Sequence, residues 1–281
     1  MLFSAALFAA ANIIRKHVLN KEHPLEFLAA RGIFTLVLLV PLVFFVQRDL
    51  DFRVLGLIYV ASLVATVGYY YQTKAQRHTE ISYLAPLQNL APIFVWLFAF
   101  LFLHEEIGGT QFVGLLALVA GSYIVGVDQK GGLLGPLREF RKDYWLHILF
   151  SVILLAVAAV LDKFMLALIT PVTYLFFGWV FMHVNYVVFD WIRYDLRYLS
   201  NDFRKGWHWL LLCAVISIAS MLAFFHAIAV PAVAISLAFA LRRVSTLLET
   251  IFGGALFHEK LVLQRLVACI IMLFGVVLIA L

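Results

Sequence analysis

Residues Gly206–Leu241 read GWHWLLLCAVISIASMLAFFHAIAVPAVAISLAFAL, without an Asp, Glu, Lys or Arg in 36 residues. As one helix this run would be about 54 Å long at about 1.5 Å per residue, whereas about 20 residues cross the hydrocarbon of a bilayer. The chain must therefore reverse direction within the run. Pro231 is the expected corner, because a proline inside a helix lacks a backbone N–H and clashes with the preceding turn.

The composition of the whole chain agrees with a lipid environment. Hydrophobic residues make up 64% of the chain and charged residues 13%, with a mean hydropathy of +1.00. Soluble domains are about half apolar and a quarter charged, so a water-soluble fold is excluded. The net charge of +5 is spread over short connecting segments, which does not favour nucleic-acid binding. Cys213 and Cys269 lie in apolar runs, where we expect them to pack rather than to form a disulfide or bind metal.

Charge-free runs bounded by charges, Pro or Gly predict ten transmembrane helices. Pro171 is expected to divide one long run in the same way as Pro231, which gives tight helical hairpins at both places. The first span lacks a preceding basic residue and continues into Asn12 and Arg15, so we expect a retained helix rather than a cleaved signal. The predicted spans are residues 1–18, 25–46, 54–73, 81–103, 108–127, 144–168, 171–190, 207–229, 231–257 and 261–280.

The two halves of the chain repeat each other. An offset of 154 places Leu103-His104-Glu105 on Phe257-His258-Glu259, and Gly121 on Gly275. An offset of 147 places Lys16 on Lys163 and Pro24 on Pro171. Each half holds five predicted crossings, an odd number, so the second half would enter the membrane from the opposite side. We therefore predict an all-α polytopic membrane protein with ten transmembrane helices as two inverted five-helix repeats, residues 1–127 and 144–281, joined by a linker at 128–143.

Several motifs of the first half together resemble a known family. They are Asn12-Ile-Ile-Arg-Lys16, Arg31 in the second span, Pro-Leu-Gln-Asn-Leu-Ala-Pro over 86–92, Phe-Leu-Phe-Leu-His-Glu-Glu over 100–106, and a fifth span with glycine. This pattern resembles an EamA-type repeat of the drug/metabolite transporter superfamily, once in each half. The second half departs from the pattern, since Arg242-Arg243 occupy the repeat positions of Gln88-Asn89.

The resemblance implies a fold and a mode of action. Relatives have ten helices and export amino acids, metabolites, drugs or nucleotide sugars. By resemblance, the solute occupies a central cavity between the halves. The fifth and tenth helices would lie at the outside, where relatives often form dimers.

The distribution of positive charge bears on orientation. Connections after odd-numbered spans hold 15 of the 21 Lys and Arg residues, Arg15 and Lys16 among them. The positive-inside rule then places these connections in the cytoplasm and both termini outside. The family resemblance implies cytoplasmic termini instead. Both indications leave the two termini on one side, and we expect an integral protein of a bacterial or archaeal plasma membrane.

Arg242 and Arg243 lie near the middle of the ninth span, where an ionised side chain costs at least ~2.5–3.5 kcal/mol and needs a partner or a wet cavity. In one interpretation, an arginine pairs with Glu249, two turns along the same face, and stabilises the bundle. In the other, a guanidinium binds the carboxylate or phosphate of a solute. Adjacent helical positions are about 100° apart, so the two arginines are expected to have different roles.

Other polar residues at depth complete the candidate site. Gln88 and Asn89 lie between Pro86 and Pro92, where a bent helix exposes carbonyls; they bind solute or form interhelical hydrogen bonds. Tyr70 and His226 are added as substrate-binding residues, although Tyr69–Tyr71 also suit the interfacial belt and a buried histidine is often a packed core group. Lys16, Lys163 and Arg31 are assigned to gating or anchoring at helix ends.

The sequence thus leads to one hypothesis and two alternatives. We expect a secondary transporter, with export as its direction, for a small polar or amphipathic metabolite that carries a carboxylate or another anionic group. No ATP-binding, nucleophile-elbow, dinucleotide or zinc-protease motif is present, so we expect no enzyme activity, no metal and no cofactor. Expected partners are the solute, membrane lipid, a proton or counter-solute, and a second copy of the chain, without nucleic acid. The alternatives are a translocase for a lipid-linked head group and a membrane scaffold that does not transport.

Overall fold

The computed structural model describes residues 1–19, 23–81, 84, 88, 91–104, 108–126, 143–194, 199–257, 267, 268, 270–272, 274, 275, 277 and 278. Every regular element within these ranges is helical. The expectations for Asn89, Glu105, His258, Glu259, Cys269 and the linker at 128–142 fall outside them.

Five helices form the described part of the first half. They are α1 (Leu2–Leu19), α2 (Pro24–Leu39), α3 (Phe52–His78), α4 (Ala91–Leu103) and α5 (Gly109–Gly126), with a 3-10 turn at Val40–Phe45 after α2. Pro24 takes the first turn of α2, where a missing N–H has no cost, and the His23 side chain accepts from Leu25 N at 3.4 Å. His104, at φ 54°, stops α4 in the left-handed conformation common after helix ends.

The second half begins with α6 (Asp143–Leu166), α7 (Pro171–Tyr194), α8 (Leu199–Ile228) and α9 (Ile235–Arg242). Short helical segments follow α9 at Ser245–Leu248 and Gly254–Leu256, with a π turn at Glu249–Gly253 between them. We call residues 235–256 the broken ninth helix. The described residues between 267 and 278 are also helical, and we call them the last helical segment.

Six of these helices are long and apolar enough to cross a membrane, and α4 and residues 109–121 form shorter apolar helices. The prediction of a helical membrane protein is confirmed at this level. The corners at Pro171 and Pro231 are also confirmed: α7 begins at Pro171, and Pro231 lies in the turn between α8 and α9. Large apolar side chains cover the outer surface, as a lipid-facing wall requires; Phe102 and Ile192 are 70% and 72% exposed.

Basic residues that were counted in two of the connections lie inside helices. Arg15 and Lys16 lie inside α1, and Lys74 and Arg77 inside α3. Arg15 and Lys16 are buried, so counting them as charges of a solvent-facing connection was wrong.

The helices pack in a regular set of pairs. The most extensive contacts join α1 to α8, α3 to α6, and α2 to α7. In addition, α2 contacts α8 and α3 contacts α7, while α4 contacts both α6 and α9 and α1 contacts the broken ninth helix. The interior of the bundle lies between α1, α2, α3, α7, α8 and the broken ninth helix.

Two glycines bring α5 and the last helical segment into direct contact. A Cβ on Gly121 would lie 2.9 Å from Ala268 O, and a Cβ on Gly275 would lie 2.7 Å from Gly114 O. Only a residue without a side chain permits this approach, as is common where helices cross in membranes.

Candidate functional site

Two small cavities adjoin in the interior of the bundle, each with a volume of about 30 Å³. Phe8, Tyr69 and Arg242 line both of them. The first cavity is also lined by Arg15, Arg31 and Trp179, and the second by Gln72, Leu155 and Arg243. Four arginines therefore surround a volume that would hold about two water molecules.

Arg242 separates the two cavities. It is the last residue of α9, and its guanidinium lies 4.3 Å from the ring centres of both Phe8 and Phe224. Its Nη1 lies 3.5 Å from Met221 Sδ, a weak acceptor. Two aromatic faces stabilise the cation by cation–π attraction but leave its N–H groups at the edge without strong acceptors.

Arg243 points in a different direction from its neighbour. Its guanidinium lies 4.8 Å from the ring centre of Phe239, and it lines only the second cavity. The backbone carbonyl of Arg243 accepts a hydrogen bond from Thr246 Oγ1 at 2.7 Å, where α9 is interrupted. The two arginines thus have different surroundings, as their 100° separation requires.

Glu249 is buried but does not line either cavity. Its Oε1 accepts a hydrogen bond from Asn12 Nδ2 at 2.9 Å, and Arg243 and Arg15 interact with it electrostatically. Glu249 begins the π turn, a distortion frequently found at functional sites. The break after Arg242 and this turn remove the regular helical register by which Glu249 was expected to share a face with Arg242.

A chain of hydrogen bonds links Glu249 to the end of α3. The backbone carbonyl of Asn12 accepts from Gln76 Nε2 at 3.0 Å, and the backbone carbonyl of Gln76 accepts from Lys16 Nζ at 2.8 Å. The carboxyl group in the broken ninth helix is therefore connected to α1 and α3.

Arg15 and Arg31 are the residues that the sequence interpretation misjudged. Arg15 is 4% exposed and Arg31 6% exposed, and both line the first cavity. Arg31 Nη1 lies 3.5 Å from Ser217 Oγ, a long contact. Burial keeps the Arg31 side chain away from a membrane surface, where anchoring would place it, and Arg15 was not a site candidate at all. The spacing of Asn12 and Arg15, three residues apart on one helical face, was the signal that could have indicated it.

Lys16 and Lys163 have matching roles at two helix ends. Lys16 Nζ donates to the backbone carbonyls of Gln76 and Thr79 at 2.8 and 2.7 Å, at the carboxyl end of α3. Lys163 Nζ donates to those of Ile228 and Val233, both at 2.8 Å, at the carboxyl end of α8. A cation is stabilised at this end of a helix by unpaired carbonyls and the helix dipole.

The remaining candidates lie away from the cavities. Gln88 is buried but lines neither of them. Tyr70 packs edge to face on Tyr71 at 5.5 Å between ring centres, and the cavities are lined by Tyr69 instead. The expectation that His226 is buried was wrong: it is exposed, because α8 turns this position outward, and its Nδ1 lies 2.8 Å from Leu222 O. His183, by contrast, is fully buried, with Trp179 and Tyr186 as ring neighbours.

Comparisons with known proteins agree with the resemblance inferred from the sequence. Residues 1–127 match the model of the EamA-like transporter family. No curated protein matches the chain. A solved structure described only as "Crystal structure of protein" is similar over 98% of this chain and 96% of its own, with a TM-score of 0.66 and 15% sequence identity. At that identity the similarity concerns the fold alone.

Proposed function

We propose that this chain is a secondary active transporter of a small organic anion, because residues 1–127 match the model of the EamA-like transporter family. The proposal that the substrate is an anion rests on the first cavity, which is lined by three buried arginines from separate helices. Each charge placed at depth opposes insertion by at least ~2.5–3.5 kcal/mol, so three such charges around one space favour a functional role.

We assign the solute site to the two cavities together. Arg242 is central, Arg15 and Arg31 bind from α1 and α2, and Tyr69 supplies an apolar wall. Arg243 and Glu249 support the site from the broken ninth helix. Gln88, Tyr70 and His226 do not line these cavities, so the described structure does not favour them as ligands, and the role of Asn89 at the repeat position of Arg243 stays a prediction.

An inverted repeat with ten crossings is the architecture we propose. The packing supports it. In the repeat α1 corresponds to α6, α2 to α7 and α3 to α8. The α1–α8 contact therefore has its equivalent in the α6–α3 contact, and the α2–α8 contact in the α7–α3 contact. The caps at Lys16 and Lys163, and the crossing at Gly121 and Gly275, are matched in the same way. Such pairs favour alternating access, in which two states are near-mirror exchanges of the halves.

The two cavities are small in the present conformation. About 30 Å³ in each cavity is too small for an organic solute, so binding requires the helices to separate. Without an ATP-binding motif, coupling to a proton or counter-solute would supply the energy, and export is the proposed direction.

Transport by reconstituted protein tests this function. Proteoliposomes would be loaded with radiolabelled lactate, succinate or glycerol 3-phosphate, and efflux measured with the matching solute outside. We expect at least one anion to exchange, and Arg242→Ala to abolish exchange. Arg53→Ala, at an exposed position, should leave it unchanged. Full activity of the Arg242→Ala protein would remove Arg242 from the site.

A folding control is needed because Arg242 is buried. Arg242→Lys keeps the positive charge and loses the planar fork, so we expect a folded protein with strongly reduced exchange. Gel filtration and a melting curve for both variants separate lost activity from lost structure.

One observation favours the lipid-linked alternative. An apolar groove of about 340 Å³ lies between α4 and α6, lined by Phe98, Phe102, Val160 and Phe164 among others. Phe102 and Phe164 are exposed, so an acyl chain could enter from the membrane. A scaffold without transport would instead show no solute-dependent change in the accessibility of the cavity from either side.

A further inference from the structure

The three arginines that line the first cavity belong to three different helices. Arg15 belongs to α1, Arg31 to α2 and Arg242 to α9. None of the cavity's described lining residues is an Asp or Glu. Glu249 and Asp162 interact with Arg15 and Arg242 only from outside the cavity, so the positive charge that faces the cavity has no carboxylate opposite it. Burying charges of one sign together in this way is unfavourable unless an anion is bound.

Several guanidinium nitrogens around this cavity are also unsatisfied. Within the described part of the chain, Nε and Nη1 of Arg15, Nε of Arg31 and Nε of Arg242 are buried without a hydrogen-bond partner. Unpaired buried donors are rare in native proteins, and each needs an explanation. A ligand with several acceptor oxygens, bound among these side chains, would supply acceptors for such donors.

The formal charges indicate how many negative charges that ligand has. Arg15, Arg31, Arg242 and Arg243 contribute four positive charges, and the carboxylates that interact with Arg15, Arg242 and Arg243 are Glu249 and Asp162. Both carboxylates already have neutral donors, since Asn12 donates to Glu249 and Tyr174 donates to Asp162 at 2.5 Å. Counted over both cavities, the four arginines exceed these two carboxylates in number by two, which favours a dianion over a monoanion.

The arrangement of donors distinguishes between kinds of dianion. A planar carboxylate is satisfied by one guanidinium fork in its own plane. Three forks on separate helices instead suit a compact tetrahedral group whose terminal oxygens point in different directions. Phe8, Tyr69 and Trp179 form apolar walls beside the arginines, which suits an organic remainder.

We propose that the first cavity binds the dianionic phosphate group of a phosphate monoester, held by Arg15, Arg31 and Arg242. The proposal rests on the function above, in which the cavities form the solute site, and it narrows the organic anion to a phosphorylated one. A soluble phosphate ester and a phosphatidic-acid head group share this chemistry, so the experiment includes both.

Ligand-dependent melting of the purified protein in detergent tests the proposal. The probes are glycerol 3-phosphate, dihexanoyl phosphatidic acid and lactate, at equal ionic strength. A ligand that binds only the folded state raises its melting temperature. We expect a concentration-dependent rise with at least one phosphate probe, and none with lactate over the same range.

Variants locate the binding within the molecule. Arg15→Gln and Arg31→Gln should each weaken the binding of the phosphate probe that protects the wild type at least ten-fold, because each removes one charged donor. Arg53→Gln is the matched control on an exposed arginine and should bind as the wild type does. Arg31→Lys keeps the charge without the fork, so we expect intermediate binding and a folded protein.

The outcomes separate this proposal from the proposed function. Protection by glycerol 3-phosphate supports a soluble ester, and protection by phosphatidic acid alone supports a lipid source; both agree with the phosphate site. Equal protection by lactate, or protection that survives both Gln variants, overturns the phosphate site. The transporter proposal survives that result if proteoliposomes still exchange lactate or succinate through Arg242, and it fails if no anion is exchanged.

Discussion

Arg31 is surrounded by features that oppose its charge. It is 6% exposed, its Nη1 makes only a long 3.5 Å contact with the Ser217 hydroxyl among the described residues, and its charge repels that of Arg15. The Phe27 ring, 5.8 Å from the guanidinium, offers only weak cation–π attraction. We therefore expect Arg31 to destabilise the empty protein, as a residue selected for binding rather than for folding would.

Replacing Arg31 with Met should separate stability from activity. Met keeps much of the volume and removes the buried charge, so we expect the unliganded protein to become more stable by at least about 1 kcal/mol, while anion exchange is lost. Melting curves without ligand and efflux from proteoliposomes measure the two effects. Arg53→Met should change neither. A large drop in melting temperature would instead show that Arg31 holds the bundle together.

Two of the four arginines that line the cavities could be singled out from the sequence for a physical reason. Arg242 and Arg243 stand out because they interrupt a long uncharged run near its middle, and no membrane surface is within reach. Arg15 lies close to the expected end of its span, where hydropathy cannot distinguish a charge in solvent from one on a buried helical face. The three consecutive tyrosines differ by about 100° in direction, so only packing decides that Tyr69 faces the cavities.

At the scale of the helices, close approach depends on glycine. Gly275 lies on the last helical segment, where a Cβ would meet Gly114 O at 2.7 Å and both Ala117 Cβ and Leu118 N at 3.1 Å. Backbone atoms cannot yield as a flexible side chain can. Gly56 on α3 is also helical, but a Cβ there has nothing within 4 Å.

The two glycines should respond to the same substitution in opposite ways. Gly275→Ala should lower stability by about 1–3 kcal/mol, because the two helices must move apart. Gly56→Ala should raise it slightly, since alanine is the better helix former by about 1 kcal/mol. Melting curves of both proteins in detergent test this. Equal behaviour would contradict the direct crossing of α5 and the last helical segment.

The start of α2 contains a titratable cap. His23 lies between two membrane-spanning helices and accepts from Leu25 N, which requires an unprotonated Nδ1. Partial burial lowers the pKa of His23, and the charges of Arg77, His78 and Lys74 lower it further. The folded state therefore binds this proton less readily than the unfolded chain, whose histidine pKa is about 6.5.

Stability should decrease as the pH falls below about 6.5, where the unfolded chain gains the proton first, and the loss should level off below the pKa of the folded state. His23→Asn keeps a capping acceptor that does not titrate, so we expect this variant to have a flatter pH profile between pH 7.5 and 5. Melting temperatures across that range measure the slope. Identical slopes in both proteins would exclude His23 as the cause.

The helices and the corners between them could be predicted from the sequence, but the break within the ninth helix could not. The corners at Pro171 and Pro231 follow from runs too long for one crossing, and the repeat predicted a shared role for Lys16 and Lys163. The interruption after Arg242 could not be predicted. The sequence there contains no Pro or Gly until Gly253, and at the break the Thr246 hydroxyl donates to the Arg243 carbonyl, in competition with the helical hydrogen bonds.

At the scale of the whole molecule, the two lysine caps constrain opposite ends of the proposed transport path. Lys16 ties α1 to the connection after α3, and Lys163 ties α6 to the connection after α8. In an inverted repeat these two connections lie on opposite sides of the membrane. In that arrangement each cap would close one side of the cavities. The relative strength of the two caps would then set the relative populations of the two open conformations.

Removing the Lys16 cap and removing the Lys163 cap should therefore shift the equilibrium between the two open conformations in opposite directions. We expect Lys16→Met to increase labelling of a cysteine at Tyr69 from one side of the membrane, and Lys163→Met from the other, because each loses charged hydrogen bonds to helix-end carbonyls. The measurement uses a membrane-impermeant maleimide on oriented vesicles, with Cys213 and Cys269 replaced by Ala. Arg48→Met, at an exposed position, is the control. Increased labelling from the same side in both variants would contradict the inverted arrangement, and unchanged labelling would reduce the two lysines to helix caps without a role in gating.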